Sequence, residues 1–403
     1  MFTGAVPQDQ ALADVTFGEL GLSEPVVASL DGIGFRYPTA IQAQVIPMAL
    51  EGGDLVGLAQ TGSGKTAAFA LPLAERLRHG SRIRGLILSP TREIALQTQS
   101  FLEVVGKDHE LQTVLLIGGV KLGPQIQDLR LNPDIVVATP GRLWDQYERR
   151  NLSFDASRHL VLDEAHHMLA LGFLPHIQRI LEALPKERQT MMFSATMPQQ
   201  IENIANRFMR SPQVIDLRPE HRTAEGIEHR LYLVHPNDMR QCLLALAEEE
   251  TGSMLVFLRR KVDTEWTYKH LADAGHSVER IHSDRSQNQR VDALQGLRQG
   301  QHRILLATNI AARGIDIPKI EHIVNFGMPD TVEDYVHRAG RTARGALLGT
   351  VSTIATWKDK QVVREVEKAV GQKLPRCEID GIEPWKEPKT RIRGRERIRR
   401  KLL

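Results

Sequence analysis

Residues 55–66 read Leu-Val-Gly-Leu-Ala-Gln-Thr-Gly-Ser-Gly-Lys-Thr, an apolar run that passes directly into a glycine-rich loop. Gly62 and Gly64 let the backbone turn inward, so that its N–H groups can surround phosphate oxygens. The segment from Thr66 onward predicts a helix, whose N-terminal end favours the same anion. Lys65 is expected to reach the β- and γ-phosphates, and the Thr66 hydroxyl to ligate Mg²⁺. The chain is therefore predicted to bind ATP or a similar triphosphate.

The phosphate contacts are assigned to the whole loop and the start of its helix, namely Thr61, Gly62, Ser63, Gly64, Lys65 and Thr66.

Size and composition place the chain among two-domain globular proteins. Its 403 residues exceed what one core usually supports, and 41% apolar with 25% charged residues is ordinary for a folded chain. No apolar run is long enough to span a membrane, and the N-terminus does not resemble a secretion signal. The two cysteines, Cys242 and Cys377, lie too far apart for a metal or redox motif. A cytoplasmic location is expected.

Basic residues concentrate at the C-terminus although the net charge is only +3. In residues 389–401 a lysine or arginine stands at nearly every second position, and Glu396 is the single acid among them. Such a run can be a solvated tail. In a chain that otherwise points to nucleic acid, we expect it to bind phosphates.

Short β-rich runs alternate with helical patterns, which predicts an α/β fold with crossover connections and mostly parallel sheets. A polar stretch over 218–228, with proline and glycine, is predicted to be a linker. It separates an ATP-binding domain over 1–217 from a second domain over 229–375, which the basic tail 376–403 follows. The predicted strands are 85–89, 113–117, 135–138, 159–162, 190–194 and 213–217, and then 229–235, 253–258, 278–282, 303–307, 320–325 and 349–355.

An acidic motif, Asp163-Glu164-Ala165-His166, follows the predicted strand 159–162. An aspartate at the carboxyl end of a buried parallel strand lies beside the phosphate loop in such folds. Asp163 is expected to hold Mg²⁺ through water, and Glu164 to orient and deprotonate the attacking water. Acids in the first turn of a helix would be the structural alternative, but the phosphate loop earlier in the chain favours catalysis.

A dense basic motif over 335–344 reads Tyr-Val-His-Arg-Ala-Gly-Arg-Thr-Ala-Arg, in a second half without a phosphate loop of its own. A guanidinium can span two γ-phosphate oxygens as charge redistributes in the transition state. A surface patch is the alternative. We expect one nucleotide site divided between two domains, so that hydrolysis depends on their closure.

With these motifs in this order, the chain resembles the DEAD-box RNA helicase family of superfamily 2, from about residue 17 to residue 345. The resemblance implies two tandem RecA-like domains, each a mostly parallel sheet flanked by helices. Residues 34–42 (Gly-Phe-Arg-Tyr-Pro-Thr-Ala-Ile-Gln) are similar to the family's adenine-reading motif. By resemblance Gln42 would hydrogen-bond the adenine edge, Phe17 would pack on the ring, and Phe35 belongs to the same motif.

The resemblance also assigns RNA contacts and coupling residues in the first domain. The RNA-backbone residues would be Pro90, Thr91, Arg92, Gly119, Thr139 and Arg142. The Ser194-Ala195-Thr196 motif, with Ser194 and Thr196, would couple hydrolysis to strand separation. Contacts to sugars and phosphates carry no sequence information, so binding without sequence preference is expected.

In the second half, the resemblance assigns three further RNA contacts, Gln287, Arg290 and Thr308. Asp316 would contact the ATP ribose. Arg341 and Arg344 would be the arginine fingers, and His337 would contact the acidic motif. Within the family, the small size and the segment 282–284 (His-Ser-Asp) favour a bacterial RhlE-type member.

Together these features predict an ATP- and Mg²⁺-dependent RNA helicase that locally and non-processively separates duplexes or remodels RNA–protein complexes. An ATP-gated RNA clamp that unwinds little would carry the same motifs and is the alternative. A translocase on double-stranded DNA fits less well, because the adenine-reading motif and the two-domain length match the RNA family.

The acidic motif ends in His166, where the named family has aspartate. An imidazole can make one hydrogen bond to the Ser-Ala-Thr motif but changes the charge near His337. We expect RNA-stimulated ATP hydrolysis to depend more steeply on pH, between about 5.5 and 7.5, than in a His166→Asp variant. Superimposable pH–rate profiles of the two proteins would contradict this.

Overall fold

The computed structural model describes residues 15–60, 62–77, 80, 82–218, 226–309, 320–342 and 349–385, with Gln287 and Glu333 described in their backbone alone. The described strands form two sheets of seven strands, and every paired strand in both runs parallel to its neighbour. The predicted α/β class with parallel sheets is confirmed.

The first sheet has the strand order β3-β4-β2-β5-β6-β1-β7. Its strands are β1 Leu55–Leu58, β2 Gly85–Leu88, β3 Thr113–Leu116, β4 Ile135–Ala138, β5 His159–Leu162, β6 Gln189–Ser194 and β7 Gln213–Asp216. The helices that connect or precede them are α1 Glu24–Asp31, α2 Ala40–Glu51, α3 Lys65–Arg76, α4 Arg92–Val105, α5 Leu122–Leu129, α6 Pro140–Glu148, α7 Ala165–Ala170, α8 Leu174–Ala183 and α9 Gln199–Phe208.

The second sheet has the order β10-β11-β9-β12-β13-β8-β14. Its strands are β8 Ile227–Leu233, β9 Met254–Leu258, β10 Val278–Ile281, β11 Ile304–Thr308, β12 His322–Phe326, β13 Gly349–Ala355 and β14 Arg376–Cys377. The described helices are α10 Met239–Glu249, α11 Lys261–Asp273, α12 Gln287–Arg298, α13 Val332–Ala339 and α14 Lys360–Val370.

The central strands are apolar on both faces because helices cover the sheet from both sides. In β5, Val161 packs into the core on one face, whereas its neighbours Leu160 and Leu162 pack into the core on the other. This alternation follows from the two-residue period of a strand. Two apolar clusters therefore hold the first sheet in place, and the second sheet is enclosed in the same way.

The strand order sorts the loops at the carboxyl edge of the first sheet into two groups. The strands β3, β4 and β2 are neighbours, and β5, β6 and β1 are neighbours on the other side. Loops that follow parallel strands meet at one edge, where α/β proteins bind ligands. Segments far apart in sequence are thus brought together in two adjoining places.

Most of the predicted strands differ from the observed ones by one or two residues at an end, and strand β14 lies within the predicted tail 376–403. Two further differences affect the linker and the phosphate loop. Strand β8 begins at Ile227, so the last two residues of the predicted linker 218–228 are part of the second sheet. Helix α3 begins at Lys65, one residue earlier than predicted. The residues 219–225 and the basic run 389–401 lie outside the described part of the chain, and the proposed domain limits stay predictions. No helix among the described residues is long and apolar enough to cross a membrane.

A buried histidine fastens α13 to the second sheet. His229 Nδ1 of β8 lies 2.8 Å from the Tyr335 hydroxyl of α13, and both side chains are buried. Burial lowers the pKa of His229 to about 4, and burial raises the pKa of Tyr335. The helix that carries the basic motif therefore depends on an imidazole that is neutral at pH 7.

This pKa shift predicts acid sensitivity. An unfolded imidazole titrates near pH 6.5, so between about pH 6.5 and 4 the unfolded state binds a proton that folded His229 does not, and stability falls as the pH falls. The variant His229→Asn keeps a polar partner for Tyr335 but does not titrate. We expect its free energy of unfolding to fall less steeply as the pH falls. The free energy of unfolding of the second domain is measured by urea unfolding at several pH values, with amide hydrogen exchange as the readout.

His322 adds a second contribution of the same sign, because burial lowers its pKa to about 4 as well. The slope in the variant is therefore reduced and not abolished. Equal slopes for the native protein and His229→Asn would contradict the assignment.

Candidate nucleotide site and nucleic-acid face

The phosphate loop joins β1 to α3 and has left-handed backbone at two glycines. Gly62 has φ +89° and Gly64 has φ +92°. A Cβ at Gly64 would lie 2.3 Å from Gln42 Nε2 and 3.1 Å from Thr39 Oγ1, so a side chain is excluded there by conformation and by contact. The loop can therefore follow this path only with glycine at position 64.

The start of α2 holds the loop from the side. Thr39 Oγ1 donates to Ser63 O over 2.8 Å, and Gln42 Nε2 donates to Gly64 O over 3.1 Å. Gln42 Oε1 accepts from Thr39 N, and the Gln42 side chain is fully buried. The structure thus places Gln42 against the phosphate loop, and its adenine contact stays a prediction. Thr39 was missed as a loop-holding residue, although Thr39-Ala-Ile-Gln42 is a capping-box sequence.

Lys65 and Glu164 form a buried ion pair at the centre of the site. Lys65 Nζ lies 3.1 Å from Glu164 Oε1, and both side chains are less than a tenth exposed. The same ammonium donates to the carbonyl oxygens of Ala59 and Gln60. The first residue of α3 and the residue before α7 are therefore joined directly, a contact that the sequence motifs did not predict.

Glu164 has an unusual backbone and a charged carboxylate. Its φ is +48° and its ψ +50°, a left-handed conformation that non-glycine residues adopt mainly where the surrounding structure enforces it. Burial by itself would raise the pKa of Glu164, but the positive charge of Lys65, with contributions from His166 and His337, outweighs it, and the pKa lies below its ordinary value. Glu164 is ionised at neutral pH and can accept a proton.

Asp163 has the opposite electrostatic character. Its side chain is 2% exposed, and burial, reinforced by the charge of Glu164, raises its pKa to about 7. A buried carboxylate of this kind is stabilised in its charged form by a divalent cation. Oxygen donors from Asp163 and the Thr66 hydroxyl are the donor type that Mg²⁺ prefers, so the residues present fit the predicted ion.

His166 connects the acidic motif to the Ser194-Ala-Thr196 segment. Its Nδ1 lies 2.9 Å from Ser194 Oγ, which also accepts from the His166 backbone N–H. Ser194 Oγ donates in turn to Thr196 O over 2.7 Å. The imidazole thus makes the connection that the family makes with aspartate. The predicted coupling residues lie together.

The second domain contributes His337 and Arg341 to the same place. The His337 ring centroid is 5.0 Å from that of His166 and 5.2 Å from that of His167. Burial lowers the pKa of His337 to about 4, and the charges of Arg341 and Lys65 lower it further while Glu164 opposes them. These charges act on one imidazole because the residues surround it. Groups from both domains therefore meet at the end of the phosphate loop.

The predicted RNA residues of the first domain lie at the carboxyl ends of β2, β3 and β4. Pro90 and Thr91 lie between β2 and α4, which begins at Arg92; Gly119 follows β3; Thr139 directly precedes α6, and Arg142 lies in the first turn of that helix. A Cβ at Gly119, whose φ is +71°, would lie 2.0 Å from Arg92 Nη2, so the guanidinium packs on bare backbone. Arg142 Nη2 donates to Val120 O over 3.3 Å. The neighbouring strands gather these residues into one face.

Arg290, at the start of α12, reaches the first domain. Its Nη1 lies 3.0 Å from Glu93 Oε1 of α4, and both side chains are mostly buried. Thr308 ends β11, which pairs with β10 just before α12, and is 9% exposed. The structure thus adds a link between the domains next to the predicted RNA face, which the sequence alone did not reveal because Glu93 and Arg290 are almost 200 residues apart.

The remaining assigned residues divide into two groups. Phe17 is buried in the first core at 2% exposure, and Phe35 packs on Phe101 with ring centroids 5.7 Å apart. The adenine-stacking role of Phe17 stays a prediction. Outside the described residues lie Thr61, Asp316 and Arg344, and the side chain of Gln287.

The fold and the site define a two-domain nucleotide-binding protein of the helicase type. Residues 39–204 match the family model described as DEAD/DEAH box helicase, and residues 236–346 match the helicase conserved C-terminal domain. The chain belongs to the DEAD/DEAH box helicase family. The resemblance inferred from the sequence motifs is confirmed.

Curated relatives cover nearly the whole chain. The DEAD-box ATP-dependent RNA helicase CshA of Bacillus licheniformis is 38% identical over 371 residues, which are 92% of this chain and 76% of the relative. The corresponding protein of Bacillus subtilis is 37% identical over 364 residues, 90% of this chain and 74% of the relative. The narrower RhlE-type assignment stays a prediction.

Solved structures agree with the tandem RecA-like architecture. S. cerevisiae Dbp5 bound to RNA and ADP BeF3 aligns with a TM-score of 0.81 at 27% identity, over 90% of this chain and 95% of that one. A DEAD box protein from Methanococcus jannaschii aligns with a TM-score of 0.52 at 35% identity, over 90% and 99%. The predicted fold class is confirmed.

The Glu93–Arg290 pair predicts a test of domain closure. Removal of one member of a largely buried ion pair costs about 3–5 kcal/mol, so Glu93→Gln should raise the RNA concentration for half-maximal ATPase about tenfold or more. The exchange of both charges, Glu93→Arg with Arg290→Glu, should recover part of the loss. RNA-dependent phosphate release measures both variants.

If Arg290→Gln impairs the enzyme and Glu93→Gln does not, Arg290 acts on RNA alone and the link between domains is irrelevant. Glu103→Gln, on the same helix α4 but exposed, is the matched control.

Proposed function

We propose that the chain is an ATP-dependent RNA helicase that separates short duplexes locally and non-processively or remodels RNA–protein complexes. The observation that carries this is the cluster of Lys65 and Glu164 from the first domain with His337 and Arg341 from the second. A catalytic site built from two domains exists only when they close. Closure is therefore coupled to the nucleotide, and RNA on the neighbouring face is coupled to closure.

The ion pair suggests how nucleotide binding readies the base. Lys65 holds Glu164 at 3.1 Å. When the β- and γ-phosphates of ATP engage the ammonium, the attraction between Lys65 and the carboxylate is shared with a stronger anion. Glu164 then turns to the attacking water, orients it and takes its proton. In this proposal the binding of ATP to Lys65 frees Glu164 to act as the general base.

The positive groups of the second domain complete the site. Arg341, whose charge acts on His337 at the end of the phosphate loop, is proposed to stabilise the charge that develops on the γ-phosphate, and Arg344 is proposed for the same task. Thr66 and Asp163 would hold Mg²⁺, which when bound supplies charge neutralisation at the phosphates. Asp163 must ionise to do so, and its raised pKa means that a proton competes with the ion below about pH 7.

RNA binding is proposed for the face formed by the ends of β2, β3 and β4, continued by α12 and the end of β11. Threonine hydroxyls, glycine backbone and arginines there suit sugar and phosphate groups and read no bases. The relatives carry RNA helicase in their names, and the Dbp5 structure that aligns well contains RNA. The closed arrangement of the domains supports the same proposal, because that aligned structure also contains ADP BeF3.

A cytoplasmic location, Mg²⁺ as the metal, and nucleic-acid binding by the basic tail 376–403 are part of the proposal. The tail's contribution can be measured by unwinding with and without residues 386–403 on tailed RNA and DNA duplexes.

Removal of the base tests the mechanism. Glu164→Gln should bind ATP and RNA with native affinity and lose about 10²–10⁴-fold in turnover, the range for a general base. Arg341→Ala should depress turnover with little change in nucleotide affinity, whereas Lys65→Ala should weaken nucleotide binding itself. Single-turnover phosphate release and fluorescent-nucleotide titration separate the two effects.

Glu148→Gln, an exposed glutamate on α6, is the matched control and should be unchanged. Native turnover in Glu164→Gln would show that the base lies elsewhere. Helicase activity itself is tested by duplex release and RNA-stimulated phosphate release on the same RNA. Rapid phosphate release without strand release would favour a clamp over a helicase.

A further inference from the structure

Three imidazoles from both domains meet beside the catalytic glutamate. His166, His167 and His337 each present a ring nitrogen, and these three atoms lie within 4.8 Å of one another. The ring centroids of His166 and His167 are 4.0 Å apart. His166 and His167 begin α7 of the first domain, and His337 lies in the last turn of α13 of the second. Two of the three rings are buried, and His337 is partly buried.

We infer that this histidine cluster is a binding site for a divalent transition-metal ion of the zinc type, which joins the two domains. Imidazole nitrogen is a ligand that Zn²⁺, Co²⁺ and Ni²⁺ accept and that Mg²⁺ does not prefer. With Zn–N bonds of about 2.0–2.1 Å, the nitrogens of a tetrahedral site lie about 3.4 Å apart. Nitrogens already within 4.8 Å need only small side-chain rotations to reach that distance.

The hydrogen bonds around His166 favour the required tautomer. Ser194 Oγ donates its proton to Thr196 O, so the 2.9 Å contact with His166 Nδ1 takes its proton from the imidazole. The longer approach of Ala195 N to the same Nδ1, at 3.4 Å, does not compete with it. In the neutral ring the lone pair is then on Nε2. Metal-binding histidines typically donate a hydrogen bond of this kind from the ring nitrogen that does not bind the metal.

The surrounding charges also permit a cation. Glu164 Oε2 lies 3.6 Å from His166 Nδ1 and 3.9 Å from His167 Nδ1, so a carboxylate is near the cluster. The positive charge of Lys65 is paired with that same glutamate. The charge of Arg341 also acts on His337 and opposes a cation there, whereas the carboxylates of Glu164 and Asp334 favour one. A cation at the cluster would also attract the Glu164 carboxylate, which is proposed to activate water. An occupied cluster should therefore hold the domains together and slow ATP hydrolysis.

This site is distinct from the one proposed for Mg²⁺. Mg²⁺ is assigned to Asp163 and Thr66 with the phosphates, all oxygen donors, whereas the cluster offers nitrogen and spans the domains. The binding test needs neither ATP nor RNA, so it stands or falls independently of the helicase proposal.

The experiment is a Co²⁺ titration of the full chain without nucleotide, followed by absorption and calorimetry. We expect one equivalent to bind with the intense visible bands of a four-coordinate site, and Zn²⁺ to displace it. His167→Gln and His337→Gln, examined separately, should each weaken binding at least about tenfold, since each removes one ligand. Two controls should bind Co²⁺ like the native protein: His270→Gln, at an exposed position of α11, and Cys377→Ser.

A second readout tests the bridge between domains. Zn²⁺ should reduce the radius of gyration in solution scattering of the native chain and not of His337→Gln, and EDTA should reverse the change. Circular dichroism confirms that the variants are folded. Absence of a stoichiometric Co²⁺ complex, or equal affinity in the native protein and both cluster variants, would overturn the proposal, as would loss of binding in Cys377→Ser alone.

Discussion

The buried ion pair between Lys65 and Glu164 is the contact on which the rest of the site depends. It joins the phosphate loop to the acidic motif over 3.1 Å, in surroundings where an uncompensated charge would cost several kcal/mol. The Lys65 ammonium favours the ionised form of the carboxylate, and the glutamate retains a left-handed backbone that directs its carboxylate inward. An unpaired Glu164 would tend to take up a proton on burial, and a protonated glutamate cannot act as a base.

The order of strands in the first sheet places the nucleotide site next to the proposed RNA face. Strands β5, β6 and β1 bring the acidic motif, the Ser194 segment and the phosphate loop side by side, while β3, β4 and β2 gather the proposed RNA face next to them. His166 bridges the first group to Ser194, and Glu93 at the base of the second group pairs with Arg290 of the other domain. The nucleotide site and the proposed RNA face therefore lie on the same sheet, and both are in contact with the second domain.

Much of this could be predicted from the sequence because local patterns have local causes. The glycines of the phosphate loop, the acids after a buried strand and the alternation of strands and helices each follow from backbone or charge requirements within a short segment. The bond from Gln42 to Gly64, the Glu93–Arg290 pair and the place of His167 in the histidine cluster could not be predicted from local patterns, because each joins segments that are neighbours only in the folded chain. The contact of His337 with the acidic motif is expected, but from the family resemblance alone. The buried position of Phe17 likewise depends on tertiary packing.

The replacement of the family's aspartate by His166 has consequences beyond a single hydrogen bond. An aspartate at this position would place a third negative charge beside Asp163 and Glu164, and would attract the basic motif of the second domain by charge. An imidazole carries no negative charge, so it removes that attraction and leaves ring contacts among His166, His167 and His337 in its place. Such contacts depend less on salt than an ion pair does. The electrostatic part of domain closure in this chain must therefore come from the Glu93–Arg290 link, from the nucleotide and from RNA.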